Sequence, residues 1–184
     1  IILLGNLHPT VQNTVIDQSI NPNRFIIMDT MNFWMDNFMP DLKEALKNTD
    51  VLTINDDEAR QLSGEYSLLI AAKKILTMGP KYLIIKKGEH GAILFGEDKM
   101  FYSPAVMLEN VIDPTGAGDS FAGGFIGYLA KTKEITFDNM KKAVVYGTVL
   151  ASFTVEKLGI ESIENIEEEK VNKRLAEIRS VVSF

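Results

Sequence analysis

The chain has 184 residues, 46% of them hydrophobic and 24% charged, which is typical of a folded globular protein rather than a disordered one. The net charge is −6 and no basic stripe is clustered along the chain, so we expect no nucleic-acid partner. The absence of cysteine excludes disulfides, thiolate zinc sites and cysteine nucleophiles, and it is compatible with a reducing compartment, so we expect the cytoplasm.

The apolar runs are too short to cross a bilayer. Residues 121–130 form one of the longest runs, and a spanning helix needs ~18 to 20 such residues, so we expect no membrane partner. The first residues, IILLGNLH, lack the features of a signal peptide and have the pattern of a buried strand entered midway. We therefore expect the chain to be the C-terminal portion of a longer protein.

Short apolar runs that predict strands alternate with segments of helical spacing. The predicted strands are residues 1–7, 25–30, 51–55, 81–87, 92–96 and 99–106. The predicted helices are residues 9–18, 41–48, 56–64, 66–79, 118–131, 137–158 and 166–182.

This alternation implies crossover connections between parallel strands. It predicts one α/β domain over residues 1–184, with three α/β/α layers and a mostly parallel sheet. Ligands of such sheets bind outside the carboxyl ends of the strands. Here these are the segments that follow Asp29, Asn55, Lys87 and Asp113.

One of these segments, IDPTGAGDSFAGGF at residues 112–125, is rich in glycine around a single central carboxylate. The small side chains of Gly116, Ala117 and Gly118 let successive backbone N–H groups converge on one anion. A helix that begins there adds its positive N-terminus, which suits a phosphate. Asp119 is then well placed to accept a proton from a hydroxyl that attacks phosphorus.

The structural alternative is a tight turn in which Asp119 only stabilises the first turn of the helix. The density of small residues and the preceding Asp-Pro favour the functional interpretation. Two rival phosphate motifs are excluded. A dinucleotide fingerprint would need glycine where Phe121 stands, and no G-x-x-x-x-G-K-[ST] string occurs. We also expect Gly123 and Gly124 to allow the close approach of a neighbouring element.

The stretch DPTGAGDSFAGGF resembles the second signature of the ribokinase-like, or PfkB, family of carbohydrate and nucleoside kinases. Residues 53–64 resemble the family's N-x-x-E segment, residues 86–95 its nucleotide-side strand-turn-strand, and residues 144–159 the helix that borders the adenine pocket. These segments cover most of the chain. The beginning departs from the family, because nothing matches its N-terminal half with acceptor-binding glycines and a small lid.

The resemblance implies an ATP-dependent phosphotransferase that uses Mg²⁺ and acts on a hydroxyl of a sugar or nucleoside. It implies that Asp119 is the catalytic base and that the backbone of Gly116, Ala117 and Gly118 is the anion hole. Two alternatives stay open: a catalytically silent nucleotide- or sugar-binding module on the same fold, and a kinase of a vitamin precursor such as a hydroxymethylpyrimidine.

The resemblance also implies a set of cofactor contacts. Glu58 would organise Mg²⁺, Asn55 would lie near the nucleotide phosphates, and Asp113 and Thr115 match part of a site for a monovalent cation such as K⁺. The residues that match the nucleotide-lining segment are Lys86, Lys87, Gly88 and Gly91.

Several features have alternatives that the sequence leaves open. Asn55 with Glu58 is also the pattern of a capping box, which needs only helix geometry. His8 and His90 have no spacing typical of a metal site or triad, and we give them no role. The methionine- and aromatic-rich residues 28–39 suit irregular core packing, the alternative being a homodimer surface. A ridge of small residues packs against another element or a flat ligand: Ala143, Gly147 and Ala151.

Overall fold

A computed structural model describes residues 1–183 of the chain. It contains a six-stranded sheet in the order β1-β2-β3-β4-β5-β6. The strands are β1 (Ile2–Leu4), β2 (Ile26–Asp29), β3 (Val51–Asn55), β4 (Tyr82–Lys86), β5 (Ala92–Gly96) and β6 (Lys99–Ser103). The helices are α1 (Pro9–Gln18), α2 (Asn32–Asn37), α3 (Met39–Lys47), α4 (Asp56–Ser63), α5 (Leu68–Leu76), α6 (Ala117–Thr132), α7 (Phe137–Thr154) and α8 (Glu168–Val182).

The sheet is mostly parallel, as predicted. Strands β1 to β4 pair in parallel, each with the next, and helices lie between them along the chain. Strands β5 and β6 are neighbours joined by only two residues, which requires an antiparallel hairpin. Both turn residues have positive φ, +52° at Glu97 and +55° at Asp98, as in the turns that best match strand twist. The predicted fold class, a mostly parallel α/β sheet with flanking helices, is confirmed.

The described chain divides into two compact units. Unit 1 comprises residues 1–86 and 93–100, and unit 2 comprises residues 87–92 and residues 101 onward. In unit 1 alternate residues of the central strands, such as Met28, Leu52 and Leu83, pack against helices α1 to α5 in one hydrophobic core. The strands β2, β3 and β4 are buried almost throughout, which is why they read as continuous apolar runs rather than alternating ones.

In unit 2 the helices α6 and α7 pack closely through two glycines. A Cβ atom on Gly124 would lie 2.9 Å from the Cα of Gly147, and one on Gly147 would lie 2.6 Å from the carbonyl oxygen of Phe121. The small residue at 147 therefore serves packing against another helix. The prediction for Gly123 is wrong, because this residue is exposed and a Cβ atom on it would meet no neighbouring element within 4 Å.

The structure differs from the sequence predictions in three places. Strand β6 ends at Ser103 rather than at residue 106, because Pro104 has no N–H for the ladder. We expected a strand to end at Asp113, but residues 104–115 contain no strand and follow an irregular path. Residues 32–37 of the methionine-rich segment form a short helix, α2, in which Met35 is buried while Phe33 is 50% exposed. Core packing thus accounts for only part of that segment.

Candidate functional site

The glycine-rich turn of unit 2 is anchored to the end of helix α7. The carbonyl oxygen of Val155 accepts hydrogen bonds from the N–H groups of Ile112, at 2.7 Å, and Asp113, at 3.3 Å. The chain then turns through Gly116, whose φ of +80° lies in the left-handed region that favours glycine, and enters α6. The hydroxyl of Thr154 donates to the Ser120 hydroxyl at 2.7 Å and ties the first turn of α6 to α7.

The N-terminus of helix α6 has no side-chain cap. The N–H of Ala117 donates to the carbonyl oxygen of Pro114 at 3.1 Å, so the turn itself uses this group. Within residues 1–183, the N–H groups of Gly118 and Asp119 have no acceptor. Unsatisfied N–H groups at a helix N-terminus are suited to an anion. The N-terminus of α6 could therefore bind an anion through these N–H groups. The N–H of Ala117 differs from those of its two glycine neighbours, because it already has an acceptor in the turn.

Asp119 lies in the first turn of α6 with an exposed side chain. No other described residue forms a hydrogen bond or ion pair with its carboxylate. The first turn of a helix stabilises a negative charge. An exposed carboxylate of this kind can meet a hydroxyl from solvent or from a ligand, which is the geometric requirement for a proton acceptor.

Asp113 and Thr115 form a local turn just before Gly116. The Thr115 N–H donates to Asp113 Oδ1 at 2.9 Å. Hydrogen bonding by the Thr115 side chain, and then by its N–H, lowers the pKa of the Asp113 carboxyl below its usual value. The carboxyl therefore stays ionised at neutral pH, although the observed contacts alone would serve a purely structural turn.

In unit 1, Asn55 and Glu58 form the predicted capping box of helix α4. The Asn55 side chain accepts the Glu58 N–H at 2.8 Å, and the Glu58 carboxylate accepts the Asn55 N–H at 2.7 Å. Glu58 is only 7% exposed, and burial raises the pKa of its carboxyl. The Asn55 N–H and the charge of Lys86 oppose this rise, whereas the charges of Asp29 and Asp57 add to it.

Strands β2, β3 and β4 bring Asp29, Asn55 and Lys86 to the same edge of the sheet. The Lys86 ammonium lies 3.4 Å from Asp29 Oδ2, and both side chains are largely buried. Sequence reasoning included Lys86 but gave Asp29 no role. The sequence did contain a signal for Asp29. Asp29 ends β2 and Lys86 ends β4, the two buried strands beside β3, so both residues lie at the carboxyl edge of the sheet.

Residues 87–91 of unit 2 form a short turn between β4 and β5. The Lys87 N–H donates to the Gly91 carbonyl oxygen at 2.7 Å, and residues 88–90 form a 3₁₀ turn. Gly88 and Gly91 have φ of +54° and +84°. A Cβ atom on Gly91 would lie 2.0 Å from the carbonyl oxygen of Ser103, so glycine is required there for packing. The side chain of Lys87 is half-buried.

Over residues 1–183, no group of three or more His, Cys, Asp or Glu side chains is arranged to hold a metal ion. A Mg²⁺ ion bound by one or two carboxylates together with ligand phosphates would not need such a group. Over the same residues, none of the helices is both long and apolar enough to cross a membrane.

A mostly parallel sheet with polar side chains at the carboxyl ends of its strands defines an open α/β domain whose ligands bind at that edge. The model of the family described as "pfkB family carbohydrate kinase" matches residues 13–166. The chain belongs to this family, as the sequence resemblance indicated.

Named relatives agree with this assignment. The ribokinase of Staphylococcus aureus is 34% identical over 131 residues, which are 68% of this chain and 41% of that protein. A nucleoside kinase of Methanocaldococcus jannaschii is 32% identical over 121 residues, which are 66% of this chain and 37% of that protein. The crystal structure of a ribokinase from Thermotoga maritima matches with a TM-score of 0.74 and 28% identity, covering 95% of this chain and 56% of that one. The chain thus spans less than half of these two curated relatives and about half of the solved ribokinase.

Proposed function

We propose that the protein is an ATP-dependent phosphotransferase that acts on a hydroxyl group of a sugar or nucleoside. The observation that carries the proposal is the N-terminus of α6, where unpaired N–H groups adjoin an exposed carboxylate with no protein partner among the described residues. Family membership supports the reaction class, and the ribokinase and nucleoside kinase relatives support the two classes of acceptor.

In this proposal Asp119 is the catalytic base. Its carboxylate accepts the proton of the acceptor hydroxyl while the hydroxyl oxygen attacks the γ-phosphorus, and the bond from that phosphorus to the leaving oxygen of ADP breaks. The turn from Gly116 to Gly118 is the anion hole. The N–H of Gly118 and the helix dipole stabilise negative charge on the transferring group, and Ala117 joins them only if its bond to Pro114 opens.

In this proposal Glu58 and Asn55 help to hold Mg²⁺, either through water molecules or through one carboxylate oxygen of Glu58. One oxygen of Glu58 is engaged by the Asn55 N–H, and the raised pKa of Glu58 reflects burial that a nearby cation would offset. Bound Mg²⁺ would neutralise charge on the phosphates. We expect Glu58→Gln, which can keep the capping box, to raise the Mg²⁺ concentration required for turnover. An unchanged Mg²⁺ titration would assign Glu58 a structural role alone.

The nucleotide contacts that we propose are Lys86, Lys87, Gly88 and Gly91. The ammonium of Lys86 lies at the carboxyl edge of the sheet, where ligands of such folds bind. In the following turn Gly91 packs closely against residues 103–105, whereas a Cβ atom on Gly88 would meet no neighbour within 4 Å, so the backbone at Gly88 is open to a ligand. Asp113 and Thr115 are proposed to contribute to a K⁺ site, since both supply side-chain oxygen atoms in the turn just before Gly116 and the Asp113 carboxylate is charged at neutral pH. Comparing the turnover rate in K⁺ with that in Na⁺ would test the K⁺ site.

The deciding experiment is an ADP-formation assay with the full-length protein, including any residues that precede Ile1, using ribose, fructose, adenosine and a hydroxymethylpyrimidine as acceptors, with Asp119→Asn as the matched control. Acceptor-dependent ADP formation that falls in the variant supports the proposal. Nucleotide binding without turnover on any acceptor would favour a silent binding module, and turnover confined to the pyrimidine would favour the vitamin-precursor kinase. A homodimer and a cytoplasmic location remain proposals, to be tested by light scattering and by fractionation.

A further inference from the structure

The Asp29–Lys86 ion pair crosses the central strand of the sheet. In the parallel register Asp29 pairs with Thr53, and Asn55 pairs with Lys86, so all four side chains share one face. The opposite face carries the hydrophobic core residues such as Met28 and Leu52. Strands β2 and β4 are two strand spacings apart, about 9 to 10 Å, so the lysine side chain must extend over β3 to reach Asp29.

Polar groups on this part of the sheet are not fully satisfied. The side chain of Thr53 is completely buried, and within residues 1–183 its hydroxyl has no hydrogen-bond partner. The Lys86 ammonium lies 3.4 Å from Asp29 Oδ2, which is long for a charge-assisted hydrogen bond. Lys86 also acts electrostatically on Glu58, in the direction opposite to Asp29. One ammonium thus balances two carboxylates.

A second Asp–Lys pair, Asp50 with Lys81, lies at the amino ends of the same strands and differs in its hydrogen bonds. Asp50 Oδ1 accepts from the Lys81 ammonium at 2.7 Å, and Asp50 Oδ2 accepts the Ile26 N–H at 2.8 Å. The backbone of Asp50 bonds to Ile26, Lys81 and Tyr82 as well. Every oxygen of Asp50 is therefore used to join three strands, and Lys81 is 71% exposed. This pair fastens the sheet, whereas the Asp29–Lys86 pair holds a largely buried ammonium at the edge where ligands bind.

We infer that Asp29 is a positioning residue that holds the Lys86 ammonium extended across β3, in place to meet the phosphates of the nucleotide. This inference rests on the proposed function, in which Lys86 contacts the nucleotide. A free lysine side chain loses rotamer freedom when it binds an anion, and a carboxylate that already restrains it removes much of that loss before the ligand arrives. The long contact leaves the ammonium able to donate to a second anion.

The test is calorimetric binding of ADP and adenosine to the full chain and its variants. Asp29→Asn keeps an oxygen that can accept the Thr30 N–H, an interaction present at 2.9 Å, but it loses the charge that restrains Lys86. We expect ADP affinity to fall about three- to tenfold, the scale for immobilising one flexible side chain, with adenosine affinity unchanged. The matched control is Asp50→Asn, which should lower the melting temperature and leave ADP affinity unchanged.

A double-mutant cycle with Lys86→Met identifies the route of the effect. If Asp29 acts through Lys86, adding Asp29→Asn to Lys86→Met should cost no further ADP affinity, and Lys86→Arg should retain most of it. Loss of ADP affinity in Lys86→Met but not in Asp29→Asn would overturn the inference. So would an Asp29→Asn effect that disappears in EDTA, since Asp29 would then act through a metal ion.

The same measurements separate this inference from the proposed function. If the parent binds ADP and Lys86→Met binds it equally well, the inference fails while the phosphotransferase proposal stands on Asp119. If the parent binds no ADP at millimolar concentration, both fail. A circular dichroism melt of each variant establishes that it is folded. Should Asp29→Asn not fold, the ADP affinity of Asp29→Ser tests the same positioning role.

Discussion

The N-termini of helices α4 and α6 differ in whether a side chain accepts their first backbone N–H groups. Helix α4 is closed by its own side chains, since Asn55 and Glu58 each accept a backbone N–H of the other. Helix α6 follows Gly116 at its N-cap and has no side-chain cap, and Gly118 and Asp119 keep N–H groups without an acceptor among the described residues. Both helices carry acidic residues in the first turn.

We propose that the closed N-terminus of α4 contributes to stability and that the open N-terminus of α6 contributes to binding. A capping residue typically contributes about 1 kcal/mol to stability, and α6 forgoes that contribution. The open end can instead bind an anion from outside the chain. Acidic residues alone do not distinguish the two ends. What distinguishes them is whether a side chain already occupies the N–H groups.

The largest expected effect is at the open end. Asp119→Asn should leave folding and nucleotide affinity nearly unchanged, because the substitution is almost isosteric and the side chain is exposed. It should lower kcat by at least about 100-fold, which is typical for loss of a general base. Steady-state ADP formation measures this, with calorimetric ADP binding as the control. Comparable turnover in variant and parent would remove Asp119 from the mechanism.

The backbone of the open end is tested by Gly116→Ala. Because φ is +80° at this position, alanine should cost about 1 to 2 kcal/mol of stability and should also weaken ADP binding by shifting the turn. The matched control is Gly123→Ala in the same helix, which is exposed and has space for a Cβ, so it should stabilise the protein by about 1 kcal/mol. Denaturant unfolding measures both. If Gly116→Ala has normal ADP affinity, the turn is not part of the binding site.

The closed end is tested by Asn55→Ala. Loss of the cap should reduce the free energy of unfolding by about 1 kcal/mol. The control is Thr136→Ala, because the Thr136 hydroxyl caps α7 by accepting the Asn139 N–H at 3.2 Å and has no proposed role in binding. We expect similar destabilisation by both substitutions and weaker ADP binding only for Asn55→Ala. Equal ADP affinities in the two variants would make Asn55 a cap and nothing more.

The smallest effect concerns pH and Glu58. Burial raises the pKa of this carboxyl above 4.5, so its contribution to stability is fully present below about pH 4.5 and is lost as pH rises through the folded-state value. Glutamine at position 58 does not titrate. In buffer with EDTA, we expect the parent to lose stability relative to Glu58→Gln as the pH rises from about 4.5 through the folded-state pKa. A difference in melting temperature that stays constant over this range would show that the folded-state pKa is not raised.

Much of the fold followed from local pattern. The apolar runs at 51–55 and 92–96 match β3 and β5 to the residue, and helix α1 has its predicted bounds. The capping box at Asn55 and the glycine that ends α4 in the left-handed region were also readable, because each depends on neighbours within four residues. The glycine-rich stretch identified the start of α6, and the family match confirmed the resemblance on which its interpretation partly depended.

The sequence by itself determined the element types, the fold class and the family, because periodicity, caps and a contiguous motif are local properties. Only the tertiary structure decided that Lys86 reaches Asp29 across β3, that the turn before α6 is held by the carbonyl oxygen of Val155, and that Gly124 but not Gly123 permits close packing. Each of these depends on strand register, turn path or helix rotation. They are settled by contacts between residues that can be far apart in the chain, and no pattern within one segment specifies them.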